Sequence, residues 1–167
     1  MGARESARRV VGVISAVLAV LAAGNAVAEN DPPPVTLAVW AVHATNEGRE
    51  EPNVDSALVS VREALRGLPF DTFHNLMHTR RDCPVNTETK VRIDKRYTLV
   101  VQPLDHQKNG RARLDVCVLM QRPPKDGKKT KPVAALSTVL VLSPDKEVTL
   151  GGLKLDDGEL VLILAAS

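Results

Sequence analysis

Residues 107–121, QKNGRARLDVCVLMQ, combine a turn signal with a strand pattern. Asn109-Gly110 is a dipeptide that favours the two-residue turn of a β-hairpin. Beyond it, apolar residues alternate with a mixed set, which is the period of a strand with one face on a core. The core-facing set is Ala112, Leu114, Val116, Val118 and Met120, and the other set is Arg113, Asp115, Cys117, Leu119 and Gln121. The stretch therefore predicts an antiparallel sheet.

Similar patterns recur on both sides of this hairpin, with a turn about every ten residues, as in an antiparallel meander. The other turn signals are Asp94-Lys95-Arg96, Ser143-Pro144-Asp145-Lys146 and Asp156-Asp157-Gly158. Gly151-Gly152, inside a strand-like run, predicts a bulge or a kink. The predicted strands in this part of the chain are 73–79, 88–93, 97–104, 111–121, 132–142, 147–155 and 159–165.

The segment before the meander predicts a strand and a helix. VTLAVWAVHA at 35–44 is apolar on both faces, which is typical of a central strand covered on two sides. Asn53 is a suitable helix N-cap, and Gly67 is placed to end the helix in the left-handed conformation. Between them an apolar stripe recurs at helical intervals: Val54, Ala57, Leu58, Val61, Ala64, Leu65 and Leu68.

The fold class expected from these patterns is α+β. We expect one amphipathic helix packed on a mostly antiparallel, curved or two-layer sheet of seven to eight strands. The order is a β-α-β opening, completed by the strand at 73–79, followed by the meander. With 167 residues and no internal repeat, the chain has room for one such domain, which we place at 35–167.

The first 28 residues have the pattern of a signal peptide. Arg4, Arg8 and Arg9 precede an apolar run, and Ala26-Val27-Ala28 fits a cleavage site. A Pro-rich leader at 29–34 follows. We therefore expect an exported protein, periplasmic or extracellular, cleaved after Ala28 and with no stable membrane span. The alternative is an uncleaved anchor, because the apolar run is near the lower length limit for a span.

The formal net charge of +2 conceals an uneven distribution. Residues 78–131 hold fourteen Lys or Arg against six Asp or Glu, and the segment 122–131, RPPKDGKKTK, holds five basic residues and one acidic residue. We expect this field to attract an anionic partner. The alternative is that the charges keep strand edges soluble. The predicted patch is Arg111, Arg113, Arg122, Lys125, Lys128, Lys129 and Lys131, with Arg80, Arg81, Arg92, Lys95 and Arg96 in the same field.

Two cysteines, Cys83 and Cys117, are the smallest even number of thiols. In an exported protein an even number favours a disulfide. The bond would close a loop of 34 residues, which in the chain-entropy model stabilises a fold by ~3 to 4 kcal/mol. The alternative is two free thiols, since Cys117 lies within an apolar strand.

A second cluster, at His74, Met77 and His78 with Cys83 behind it, suggests a metal site. Imidazole, thioether and thiolate are ligands of copper and zinc. The four-residue spacing of the two histidines would place them on one face of a regular strand. The alternative is that the histidines are surface residues of an edge strand while Met77 faces the core. Cys83 cannot be both a ligand and half of a disulfide.

Catalytic signals are weak. Asp71 and His74 are three residues apart and could pair, but a hydrolase would need a distant nucleophile to complete the site. The sequence contains no nucleophile elbow, zinc-protease motif or P-loop. We therefore expect no enzyme activity and no cofactor. Aromatic residues make up only 2% of the chain, which disfavours a site that stacks nucleic-acid bases.

Residues 138–153, TVLVLSPDKEVTLGGL, resemble a hairpin of bacterial secretins, the outer-membrane channels of secretion systems. In those channels the hairpin lies in the membrane-embedded part and ends in Gly-Gly-Leu. The resemblance covers about a tenth of the chain. It implies a role in the cell envelope or as an accessory to secretion, and it assigns no functional residue.

The function expected from these observations is binding. We expect an exported, non-enzymatic binding or assembly module of the cell envelope, which acts through a β surface and the basic loop at 122–131. Its partner would be a protein or an anionic envelope component and not a nucleic acid. The alternatives are a periplasmic metal-binding protein that uses His74, Met77 and His78, and a small hydrolase.

Overall fold

Strands dominate the computed structural model, which describes residues 32–124 and 130–166. The predicted signal peptide at 1–28 lies outside these residues, as does the start of the Pro-rich leader. Nine strands are formed within the described ranges: β1 Val35–Thr45, β2 Asn53–Val54, β3 Thr72–Cys83, β4 Thr89–Arg92, β5 Tyr97–His106, β6 Ala112–Met120, β7 Val133–Leu142, β8 Glu147–Lys154 and β9 Glu159–Ala166.

The strands form two sheets. Sheet A has the order β2-β3-β1-β9-β8, and sheet B is a meander with the order β4-β5-β6-β7. β2 runs parallel to β3, and the other neighbouring pairs are antiparallel. The prediction of a strand-rich, mostly antiparallel architecture is confirmed, and the strands that were expected in one curved or two-layer sheet form two sheets. The described strands number nine where seven to eight were expected. The additional strand is β2, which has only two residues and is too short to show a strand pattern in the sequence.

The main core lies between the sheets. Alternate residues of each strand point inward, as the period of a half-buried strand requires. Sheet A contributes fully buried side chains such as Val39 and Leu162, and sheet B contributes Leu99, Leu114 and Val116. The alternation seen at 112–120 in the sequence is therefore the inner face of β6.

β1 is buried on its second face as well. On the outer face of sheet A, Trp40 and Val42 share a cluster with Leu58, Val61 and Leu65 of the helical segment. Because one face of β1 contacts sheet B and the other contacts this segment, both sets of alternating residues must be apolar. This explains the unbroken apolar character of residues 35–44.

The helical segment is shorter than expected and begins later. A 3₁₀ helix spans Ser56–Val61 and continues into α1, Arg62–Leu65. The predicted N-cap, Asn53, is wrong: its N–H donates to the Asp71 carbonyl oxygen, so Asn53 is part of β2. Asp55 is the cap, and its carboxylate accepts a hydrogen bond from Ala57 N at 3.0 Å. Gly67 has φ +84°, the left-handed conformation expected at the helix end.

The two other glycine signals are also found in the structure. Gln107 N donates to Arg111 O at 2.8 Å across the Asn109-Gly110 turn, which joins β5 to β6. The pairing of β8 with β9 shifts between Leu150 and Leu153, so Gly151-Gly152 forms the predicted bulge.

The hairpin implied by the secretin resemblance is absent from the described residues. β7 pairs with β6 in sheet B, whereas β8 pairs with β9 in sheet A. The turn at 143–146 therefore carries the chain from one sheet to the other. The inner faces of β7 and β8 nevertheless pack on the same core. The alternating sequence pattern therefore fits two strands in different sheets as well as a hairpin within one sheet.

Within residues 32–124 and 130–166, no helix has the length and apolar character needed to cross a membrane.

We predict that Gly158→Ala destabilises the fold. A Cβ at this position would collide with the Ala44 carbonyl oxygen and lie 2.8 Å from Thr45 Cγ2. These atoms belong to β1, which is paired on both sides and cannot move freely, so the expected loss is ~1–3 kcal/mol. Gly151→Ala is the control, because a Cβ there meets no described atom within 4 Å. Urea unfolding measures both variants, and equal midpoints for the two would contradict the prediction.

Candidate functional site

A groove of ≈ 560 Å³ opens at one end of the two sheets. It lies where β5 begins and where β6 and β8 end. The lining comprises Lys95, Arg96, Tyr97, Met120, Gln121, Arg122, Pro123, Pro124 and Lys154. Four of these residues are basic, and the apolar part is supplied by Tyr97, Met120 and the two prolines.

Local hydrogen bonds fix the turn that forms one wall of the groove. The Asp94 carboxylate accepts hydrogen bonds from Arg96 N at 2.8 Å and from Tyr97 N at 2.6 Å. This is the usual role of aspartate at the start of a turn. On the neighbouring strand, Gln121 N donates to Arg96 O at 2.7 Å. The exit of β6 is thereby attached to the turn that carries Lys95 and Arg96.

The opposite wall belongs to sheet A. Tyr97 Oη donates a hydrogen bond to Lys154 O at 2.8 Å, which connects the start of β5 to the end of β8. Arg96 Nη2 contacts Asp156 Oδ1 at 2.6 Å, immediately beyond β8. This hydrogen bond raises the pKa of Arg96 and lowers the pKa of Asp156. Both sheets therefore contribute to the site.

Three further cations line the groove beside Arg96. In the part of the chain that the structure describes, Lys95, Arg122 and Lys154 form no ion pair. All three are exposed. Three positive groups around an apolar floor give this end of the molecule a locally positive potential.

The structure divides the predicted basic patch into two groups. Arg111 and Arg113 lie at the β5–β6 turn, whereas Arg122 lies beyond the other end of β6. At 3.3 Å per residue, Arg113 and Arg122 are separated by about 30 Å. The described members of the predicted patch therefore lie at opposite ends of β6. Lys125, Lys128 and Lys129 lie outside the described residues.

Arg122 and Lys131 remain on the groove side of the molecule. Thr130 Oγ1 donates to Arg122 O at 2.9 Å, and Gln121 Nε2 donates to Thr130 O at 2.7 Å. The two ends of the basic loop are thus held together beside the groove. Lys154 was missed by sequence reasoning, because it is distant in sequence and reaches the groove only through contact between the sheets.

The two histidines of the predicted metal site do not share a face. β3 contains an extra residue, Leu76, between Asn75 and Met77, where its pairing with β1 shifts. His74 is paired with His43, on the face that turns toward sheet B. His78 lies on the outer face, where its ring stacks on Trp40 with centroids 4.5 Å apart. The bulge thus reverses the alternation that the spacing rule assumes.

Met77 packs against the core between the sheets, on the other side of the sheet from His78. Within the described residues, no three His, Cys, Asp or Glu side chains are grouped as a metal site would require. The structure therefore does not bring His74, Met77 and His78 together on one face of β3.

Asp71, the candidate partner of His74, has a structural role. Its carboxylate accepts hydrogen bonds from the backbone N–H groups of Glu47, Gly48 and Arg49 at 2.8, 2.8 and 2.9 Å. These bonds, with that from Glu47 the strongest influence, lower its pKa to about 2. Asp71 is thus fully occupied with the loop after β1, and no contact between it and His74 is found in the described ranges.

The two cysteines are free in the structure, where the predicted disulfide is not seen. Cys83 is buried in the core between the sheets, and burial raises the pKa of its thiol. Cys117 lies between Val116 and Val118, which face that core, so it points to the outer face of sheet B. A bond would require one thiol to cross sheet B.

A smaller cavity of ≈ 210 Å³ lies beside the helical segment. Its lining is mainly apolar, from side chains such as Leu65, Leu68 and Phe73, with Arg62 and Arg66 also lining it. Arg66 is paired with Glu63 at 2.9 Å. The larger groove therefore offers more uncompensated charge and is the stronger candidate site.

A scan of the chain against protein-family models finds no match, and searches of curated proteins and of solved structures find none either.

We predict that Asp71→Asn lowers the thermal stability of the protein at pH 7. The folded-state pKa of about 2 lies below the unfolded value of 3.8, so the ionised carboxylate stabilises the fold above 3.8. This contribution is lost as the pH falls toward 2. The difference in Tm between wild type and variant should therefore be full at pH 7 and disappear near pH 2. Glu51→Gln, at an exposed carboxylate, should show no such difference.

We predict that one thiol per chain reacts with an aromatic disulfide reagent in the folded protein and two react in denaturant. Half-buried Cys117 should react first, since burial and a raised pKa protect Cys83. Cys117→Ser should abolish the native-state reaction. Absence of any reaction in denaturant would mean that the thiols are joined and would contradict the structure.

Proposed function

We propose that the chain is an exported, non-enzymatic module of the cell envelope that binds an anionic polymer. The groove at the end of the sheets is the binding site. The observation that carries this proposal is the convergence of Lys95, Arg122 and Lys154 on an apolar floor, with no ion pair to any of the three among the described residues.

The chemistry of the lining supports binding. The described lining of the groove includes no serine, cysteine, histidine or carboxylate. Its titratable side chains are lysines, arginines and Tyr97, and the Tyr97 hydroxyl is engaged with Lys154 O. Its volume is in the range of ligand sites. The open shape and separated cations suit a chain with repeated negative charges better than a small enclosed anion.

The basic loop extends the same charge. Arg122 is both a groove residue and the first residue of the segment 122–131, whose composition is five basic residues and one acidic residue. Its two ends are joined through Thr130 beside the groove. A polymer bound in the groove would therefore lie close to Arg122 and Lys131, the described basic residues at the two ends of this segment.

The experiment compares two triple variants with equal net charge. Lys95→Gln/Arg122→Gln/Lys154→Gln removes the groove cations. Lys108→Gln/Arg113→Gln/Lys146→Gln removes two lysines and one arginine, all exposed, at the opposite end of the sheets. Polyphosphate and poly-glutamate are the probes, titrated at low ionic strength and followed by calorimetry.

The groove variant should bind about tenfold more weakly, because each exposed charge contributes ~0.5 kcal/mol and 1.4 kcal/mol is a factor of ten. The control variant should retain most of the affinity, and salt should weaken binding in all proteins that bind. Equal losses in the two variants would mean that net charge alone attracts the polymer and would refute the groove as the site.

A further inference from the structure

The free edges of the two sheets differ in their protection against pairing with another strand. Among the described strands, β4 is four residues long and carries Lys90 and Arg92. β8 is interrupted by the Gly151-Gly152 bulge and ends at Lys154. The part of β3 that extends beyond β2 carries Arg80, Arg81 and Asp82. Short length, bulges and charges are the features by which natural edge strands avoid association.

β7 has almost none of these features. Its ten residues, VAALSTVLVL, include no charged residue and no proline. In the described part of the chain it pairs with β6 alone. Val139 and Val141 are 49% and 51% exposed on its outer face. A bulge near Ala135 leaves residues 136–142 as a regular strand with a free row of backbone donors and acceptors.

From this contrast we infer that β7 is a dimerisation edge and that its partner is β7 of a second copy of this chain. The two strands pair antiparallel about a two-fold axis at Val139. The two sheets B then form one sheet of eight strands.

The self-pairing satisfies the constraints of a sheet. Centring on Val139 places Ser137 opposite Val141, all on the outer face, and Leu136 opposite Leu142, both on the inner face. The core-facing residues of both copies therefore stay on one side of the joined sheet. The two-fold axis repeats every facing pair, so a charge on β7 would enter the joint twice, and at Val139 it would face a like charge; β7 has no charged residue.

The neighbours of the exposed valines favour edge pairing over stacking of two sheet faces. Val139 is paired with Asp115 and Val141 with Arg113 on β6. Both charged residues are exposed on the same outer face. Face-to-face packing would remove both charges from water, and the cost of desolvating a charge can exceed what pairing returns. Edge pairing leaves them solvated. The inference does not depend on the proposed polymer binding.

The first test introduces a charge at the axis. Val139→Lys places two lysines opposite each other and should raise the dimer dissociation constant by about 100-fold. Val59→Lys is the matched control, because Val59 is 67% exposed on the helical segment. Sedimentation over a range of concentrations should show dimers for wild type and control and monomers for Val139→Lys. Thermal unfolding checks that the variant is folded.

The second test determines the register in which the two β7 strands pair. In a Cys117→Ser background, Val139→Cys places two thiols on directly opposite residues, about 4.5–5.5 Å apart at Cα, within the range of a disulfide. Mild oxidation should give a covalent dimer. Val141→Cys, opposite Ser137, should give none, since its own copy lies about 13 Å along the strand. Monomeric wild type at all concentrations, or equal cross-linking of both variants, would overturn the inference.

Discussion

The structure depends on the burial of β1 on both faces. A strand with apolar residues on two sides needs a layer of protein against each. Sheet B covers one face and the helical segment covers the other. The pairing of β1 with β3 and β9 then fixes the centre of sheet A, and the groove lies where the far ends of the two sheets meet.

The groove is a consequence of contact between sheets. The hydrogen bond from Tyr97 to Lys154 O and the ion pair of Arg96 with Asp156 join β5 to the end of β8. They place a cation from sheet A beside cations from sheet B. Asp94 is engaged with backbone N–H groups, and Asp156 pairs with Arg96. Within the described residues, Lys95, Arg122 and Lys154 form no ion pair with these or other carboxylates.

The strand positions were predictable because alternation and turn residues are local signals. Asn109-Gly110 and Gly151-Gly152 specify a turn and a bulge through their own backbone preferences. The sheet to which β8 belongs was not predictable, since β8 buries the same face whether it pairs with β7 or with β9. No sequence signal at Leu76 indicates a bulge, yet this extra residue places His74 and His78 on opposite faces of the sheet. Lys154 joins the site only through tertiary contact.

The direction of β7 sets the distance between the two grooves of the proposed dimer, and so the length of polymer that could reach both. β7 begins at Val133, near the groove, and runs away from it. In a dimer paired about Val139, the two grooves lie at opposite ends of the joined sheet, about 40 Å apart at 3.3 Å per residue. If both proposals hold, a polyanion that spans this distance would occupy both grooves, and because its second binding event would be intramolecular, its avidity would rise. A shorter oligomer would engage one groove at a time, so the proposed dimer would discriminate between anions by chain length.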